Sequence, residues 1–96
     1  MIVHIVFFQF NEENKENNIT KAKQLLEELT YKIDIIQDYE VGINFDKADR
    51  AMDLSLYSTF NNIEDLNSYA SNPAHLEVVE FIKSVTEYTK VVDYTK

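Results

Sequence analysis

The sequence predicts one α+β domain, an antiparallel β-sheet with helices packed on one of its faces. Three observations predict it. The chain has 96 residues, the size of a single domain, so residues 1–96 read as one unit. Four short runs rich in β-branched and aromatic residues alternate with segments of helical periodicity. The first of those runs is apolar on both sides, so its sheet needs cover on both faces.

Each element follows in order. Ile2–Phe10 (IVHIVFFQF) is β-branched and aromatic, too short for a helix and without its period, and predicts a strand. Asn11–Asn18 (NEENKENN) is a polar loop whose asparagines suit the cap of the next helix. From about Glu16 to Lys32 a helix is expected. Ile19, Ala22, Leu25, Leu26, Leu29 and Ile33 fall at offsets of three and four and form one apolar stripe. Ile35–Phe45 predicts a second strand with Tyr39, Val41 and Ile43 on one face. Gly42, the only glycine, is expected to mark a bulge or a close backbone approach there. After the polar connection Phe45–Arg50, the segment Asp53–Phe60 alternates: Leu54, Leu56 and Phe60 face one way, Ser55, Tyr57 and Thr59 the other.

Asn61-Asn62-Ile63-Glu64-Asp65 is a helix start, with asparagine to cap and carboxylates in the first turn. That short helix is expected to turn Ile63, Leu66 and Ala70 inward and to end near Ser71, with Tyr69 at the edge of its stripe. Asn72-Pro73 restarts a helix, because proline suits the first helical position. It runs to about Val85 on a stripe of Val78, Val79, Ile82 and Val85. Tyr88–Thr95 (YTKVVDYT) is the last strand. The order β-α-β-β-α-α-β gives a ferredoxin-like antiparallel sheet with helices on one face.

The first strand also predicts a partner. Ile2, His4, Val6, Phe8 and Phe10 face one way; Val3, Ile5 and Phe7 face the other. Helices cover one face only. Each large apolar side chain left in water forgoes about 1.5–3 kcal/mol, and a contiguous patch marks an interaction surface. A second copy on a two-fold axis is the simplest cover. A homodimer closing an eight-stranded α/β barrel is therefore expected, with Val3, Ile5 and Phe7 at its interface.

Composition narrows the function. The net charge is −8, with nine Lys+Arg against seventeen Asp+Glu. No basic footprint for nucleic acid is present, and an anionic membrane surface is disfavoured for the same reason. No apolar run approaches a membrane span. Ile2–Phe8 lacks a basic flank and a small-residue cleavage site, so it reads as a strand and not a signal peptide. The chain has no cysteine, which fits the cytoplasm and excludes disulfides and thiolate metal sites. A single glycine excludes Gly-rich phosphate loops. No metal-ligand spacing appears. Two histidines with a carboxylate such as Asp53 make a conceivable set that nothing in the spacing demands, and no cofactor is called for.

The two histidines carry what chemistry there is. His4 sits mid-strand on the helix-facing side, and His75 sits in the first turn of the last helix on the face of Val78, Val79 and Ile82. With Tyr69 they are placed to line one cavity whose apolar walls are Val6, Phe8, Leu26, Val79 and Ile82. An imidazole in a partly apolar cavity tends to its neutral form and is then a general base. A tyrosine hydroxyl can donate to a carbonyl oxygen that gains charge. A lone histidine on an apolar face is more often a satisfied core residue, and His75 near a helix start also reads as a packing or capping element.

Five segments follow one another in the chain: Val3-His4-Ile5-Val6-Phe7-Phe8, Val41-Gly42-Ile43-Asn44, Asp53-Leu54-Ser55-Leu56 leading to Phe60, Tyr69 through Asn72-Pro73-Ala74-His75, and Val91-Val92-Asp93-Tyr94. In this order they resemble the stress-responsive dimeric α/β-barrel (Dabb) family. The resemblance covers essentially the whole chain. It implies a ferredoxin-like homodimer whose two sheets form the barrel. One branch of that family contains a plant polyketide cyclase that works by aldol condensation without a cofactor. Its pocket histidines and tyrosine match His4, Tyr69 and His75, whereas a further pocket tyrosine falls at Leu26 here, a departure from the cyclase pattern. Some members hold magnesium near the dimer interface, and no motif here matches that. The expected function is binding of a small apolar or aromatic ligand between sheet and helices. The alternatives are a cofactor-independent lyase, cyclase or isomerase acting on a carbonyl through His4 and His75, or a cofactor-free monooxygenase.

Overall fold

The terminal strands lie side by side. In a computed structural model describing residues 1–96, β1 (Ile2–Phe10) pairs antiparallel with β4 (Thr86–Thr95) along its length. On its other side β1 pairs with β3 (Leu54–Phe60), and β3 with β2 (Asp38–Ile43), giving the sheet order β2-β3-β1-β4. Helices α1 (Lys15–Glu28), α2 (Ile63–Ser71) and α3 (Pro73–Val85) complete the fold. No helix is long and apolar enough to cross a membrane.

The core lies between the helices and one sheet face. Phe8, Phe10, Val41, Leu54, Leu56 and Phe60 from the strands pack with Ile19, Ala22, Leu26, Tyr69, Val78 and Ile82 from the helices. Caps fix where α2 and α3 begin. The Asn62 side chain accepts from the Asp65 amide at 2.8 Å, and the Asn72 side chain accepts from the Ala74 amide at 2.9 Å. Pro73 follows at the first helical position, where its missing N–H costs nothing.

Several local expectations are corrected. Helix α1 starts at Lys15, one residue early, and its cap Asn14 is left-handed (φ 55°) with no side-chain bond to the helix amides. Asn14 Oδ1 is taken instead by the Asn17 side chain. The α-helix stops at Glu28 and tightens into a 3₁₀ turn over Leu29–Tyr31. Strand β2 is shorter than Ile35–Phe45, and β4 begins two residues before Tyr88. Gly42 marks neither bulge nor close approach: its register with Ser55 is regular, and an added Cβ would sit 3.4 Å from Ser55 Oγ. The irregularity falls between Gln9 and Phe10 of β1, where Asp53 Oδ2 accepts the Phe10 amide. In α2, Ile63 and Ala70 are exposed, while Tyr69 is fully buried at the centre of the inward face.

The opposite sheet face is open. Ile5 stands between Tyr57 and Val92, and Phe7 between Ser55 and Lys90. Phe7 (38% exposed), Tyr88, Val92 and Tyr94 present apolar area to solvent there. Val3 also points to this face but has no exposed area, flanked by Thr59 and Tyr94 in the neighbouring strands. It therefore offers nothing to a partner, and the surface expected of Val3, Ile5 and Phe7 rests on the latter two with the β4 residues.

Candidate functional site

Between α3 and the β1–β4 pair lies a cavity of about 490 Å³. The helices cover β1 but stop short of β4, the edge strand, so Val91 and Asp93 flank an open side. His4, Tyr69 and His75 line it, as do Val6, Phe8, Leu26, Val79 and Ile82. Leu56 and Val91 add to the apolar wall. Two other depressions, of about 550 and 520 Å³, flank the 44–53 loop. Neither contains a histidine or a tyrosine, so the chemistry concentrates in the first cavity.

Strand alternation puts His4 on the helix-facing side, directly opposite Asp93 in β4. The His4 ring donates from Nδ1 to Asp93 Oδ1, which leaves Nε2 unprotonated in the neutral ring. The fully buried Ser58 donates from Oγ to the His4 carbonyl at 3.1 Å and ties this point of β1 to β3.

His75 is placed by the Asn72-Pro73 helix start. Its Nδ1 donates to the Ala70 carbonyl at the end of α2, at 3.0 Å, which again leaves Nε2 as the free acceptor. Burial holds the His75 pKa below the ordinary histidine value, the Ala70 carbonyl opposes that, and the nearby His4 adds to the lowering. The ring is therefore neutral near pH 7.

Tyr69 joins the two. Its ring centroid lies 4.4 Å from that of His75, 6.3 Å from His4 and 5.0 Å from Phe60. Its hydroxyl meets the Tyr39 hydroxyl at 2.8 Å. Burial pushes the Tyr69 phenol up to about 12, and burial also raises Tyr39. Both are neutral phenols throughout the physiological range.

Asp53 does not join the histidines. It sits at the far end of β1, bonded to the Phe10 amide and 3.5 Å from Lys15 Nζ. Two other carboxylates line the cavity, Glu87 and Asp93, and Asp93 is the one bonded to a histidine. No local motif marks Asp93 as a site residue, yet strand pairing does: when the terminal strands pair antiparallel, the fourth residue from one end meets the fourth from the other. From the sequence Tyr39 is only a strand residue, because nothing local announces its bond to a helix thirty residues later.

The arrangement has chemical content. Two imidazoles with their tautomers fixed through Nδ1 hold two basic Nε2 atoms beside a neutral phenol, in a cavity that is otherwise largely apolar. Such a set can accept a proton from a bound molecule while a hydroxyl bonds its oxygen.

A sequence profile of the stress responsive A/B barrel domain, Dabb, matches residues 2–96. The chain belongs to the Dabb family. A dimeric protein of unknown function and ferredoxin-like fold from Bacteroides fragilis is 30% identical, with a TM-score of 0.89 over 99% of this chain and 95% of that one. The hydroxynitrile lyase of Passiflora edulis superposes with a TM-score of 0.85 at 22% identity, over 97% of this chain and 90% of the lyase. An antibiotic biosynthesis monooxygenase does so with 0.78 at 14%, over 100% and 98%. At those identities the last two show a shared fold alone. No curated protein sequence matches the chain. The Dabb domain here is thus a ferredoxin-like α+β fold, with the sheet and helices arranged as its element order requires.

Proposed function

We propose that this Dabb chain acts as a homodimer and binds a small, largely apolar carbonyl compound in the cavity beneath α3. One observation carries the reading: both histidines, each engaged through Nδ1 and free at Nε2, meet Tyr69 in a cavity otherwise walled mainly by aliphatic and aromatic groups. An apolar pocket with a few convergent polar groups is the usual form of a small-molecule site. The dimer reading rests on the open apolar sheet face and on the dimeric relative from Bacteroides fragilis. The stress role in the family's description is carried with it as context.

The His4–Asp93 pair favours a second reading, cofactor-free proton transfer on the bound carbonyl. His75 Nε2 takes a proton from the carbon next to the carbonyl. The bonding pair shifts toward the carbonyl oxygen, which Tyr69 stabilises as a hydrogen-bond donor. Asp93 holds His4 in the tautomer that presents Nε2 as the acceptor. Leu26, in place of the cyclase branch's tyrosine, gives this pocket an apolar wall there. The hydroxynitrile lyase is support from fold likeness for small-molecule chemistry in this architecture.

A thermal-shift screen of small aromatic ketones and aldehydes tests the binding reading. Hits should vanish in His75→Ala and in Val79→Trp, which fills the cavity, while both variants remain folded. Hits that survive both changes would place the ligand elsewhere and sink the assignment.

A further inference from the structure

The Tyr39–Tyr69 contact decides more than packing. Each hydroxyl has one proton and accepts through its oxygen, and the two oxygens are 2.8 Å apart. Neither hydroxyl has any other protein partner among the hydrogen bonds of the chain. One proton therefore lies between the two oxygens and the other is left over. Tyr69 lines the cavity and Tyr39 does not. If Tyr69 donated to Tyr39, the spare proton would sit on the side away from the cavity. If Tyr39 donates to Tyr69, the spare proton belongs to Tyr69 and is available to a molecule in the cavity.

We propose that Tyr39 is a positioning residue whose hydroxyl donates to Tyr69 and thereby commits the Tyr69 proton to the cavity, making the site selective for ligands with an acceptor oxygen. The inference rests on the pocket reading above and deepens it. The aromatic cluster fixes the geometry: the Tyr39 ring lies edge-on to Tyr69 at 6.2 Å, and Phe60 holds the other side of Tyr69 at 5.0 Å. Tyr69 is 1% exposed, so its hydroxyl has little freedom to turn to bulk water. The donated bond also polarises the Tyr69 hydroxyl and makes it a better donor in its turn.

A titration without ligand tests whether Tyr39 reaches Tyr69 as a donor. Incorporation of 3,5-difluorotyrosine at position 69, whose phenol ionises nearer neutral pH than that of tyrosine, allows its pKa to be followed by ¹⁹F NMR in the folded protein. Tyr39→Phe keeps the ring and removes the donor. The pKa at position 69 should then rise by about one pH unit, the loss of one hydrogen bond to a phenolate. A fall, or no change, overturns the proposal, because removal of an acceptor would destabilise the neutral phenol. A merely structural role for Tyr39 would change unfolding and leave this pKa in place. A second readout addresses the ligand. The carbonyl band of bound acetophenone should lie at the same or a lower frequency in the wild-type protein than in Tyr39→Phe, because Tyr69 keeps its proton for the ligand in both. A band at higher frequency in the wild-type protein overturns the commitment of the proton to the cavity, because removal of an acceptor would then have freed that proton. Failure of acetophenone to bind the wild-type protein counts against the pocket reading instead, and the titration still decides whether Tyr39 donates to position 69.

Discussion

Asp93 stands directly across the β1–β4 ladder from His4, and its carboxylate accepts the proton on His4 Nδ1. A histidine–carboxylate pair of this kind fixes the tautomer and the orientation of the ring. Asp93 is half exposed, so the pair contributes orientation more than stability.

Asp93→Asn tests that role. The amide is nearly isosteric but carries no charge, and its NH₂ can face the ring and force the other tautomer. Deuterium exchange at the carbon beside the carbonyl of a bound ketone should slow by about tenfold or more. Binding, read by thermal shift, should be retained. Equal exchange rates in the two proteins would remove Asp93 from the mechanism.

What the sequence made legible follows the periods of its elements. The alternation of Ile2–Phe10 separates the two faces of β1 without any structure, and with it the buried side of His4. The Asn72-Pro73 signal places His75 in a helical first turn. Cross-strand facts were harder to read. Asp93 joins the site through pairing between strands more than eighty residues apart, and Tyr39 through a contact between β2 and α2. The helical wheel of α2 also misled: its nine residues span too few turns to define a stripe, and tertiary packing selected Tyr69 over Ile63 and Ala70. Val3 points to the open face as its alternation requires, but Thr59 and Tyr94 in the flanking strands leave it no exposed area. Burial there was set by neighbours that β1 itself does not reveal.

The open sheet face predicts the behaviour of two charge substitutions. Phe7 is partly exposed, and a two-fold axis would bury it twice, each copy contributing about 1.5–3 kcal/mol. Phe7→Glu should give a folded chain of monomer mass by light scattering. Val3→Glu buries a charge within the single chain and should abolish folding outright. A Phe7→Glu protein that keeps a dimeric mass would contradict an interface on this face.

Tyr69 divides into a ring and a hydroxyl with separable effects. Tyr69→Ala empties a fully buried volume between Phe60 and His75 and should cost about 3–5 kcal/mol in urea unfolding. Tyr69→Phe keeps the ring but strands the Tyr39 hydroxyl, at about 1–2 kcal/mol. It should also weaken ketone binding more than Leu56→Val, a change to the apolar wall alone. Ketone affinity unchanged by Tyr69→Phe would mean that the hydroxyl does not reach the ligand.

His75 makes stability depend on pH with a definite sign. Burial lowers its pKa in the folded chain relative to the ordinary value of about 6.5 that it has when unfolded. Below about 6.5 the unfolded chain therefore binds a proton at this position that the folded chain resists. Protonation favours unfolding, so the contribution is present above the unfolded value and is lost as pH falls toward and through the folded one. His4 faces the same cavity and adds repulsion once charged. His75→Asn should separate this effect from the acidic groups that titrate elsewhere, since its side-chain NH₂ can still donate to the Ala70 carbonyl but carries no titrating proton. Urea midpoints measured from about pH 5 to pH 7.5 should climb more steeply in the wild-type protein than in His75→Asn, with the gap closing as folding becomes insensitive to this ring above its unfolded pKa. Parallel curves would show that the buried imidazole takes up its proton without cost, and would remove the basis for treating it as a base held neutral in the cavity.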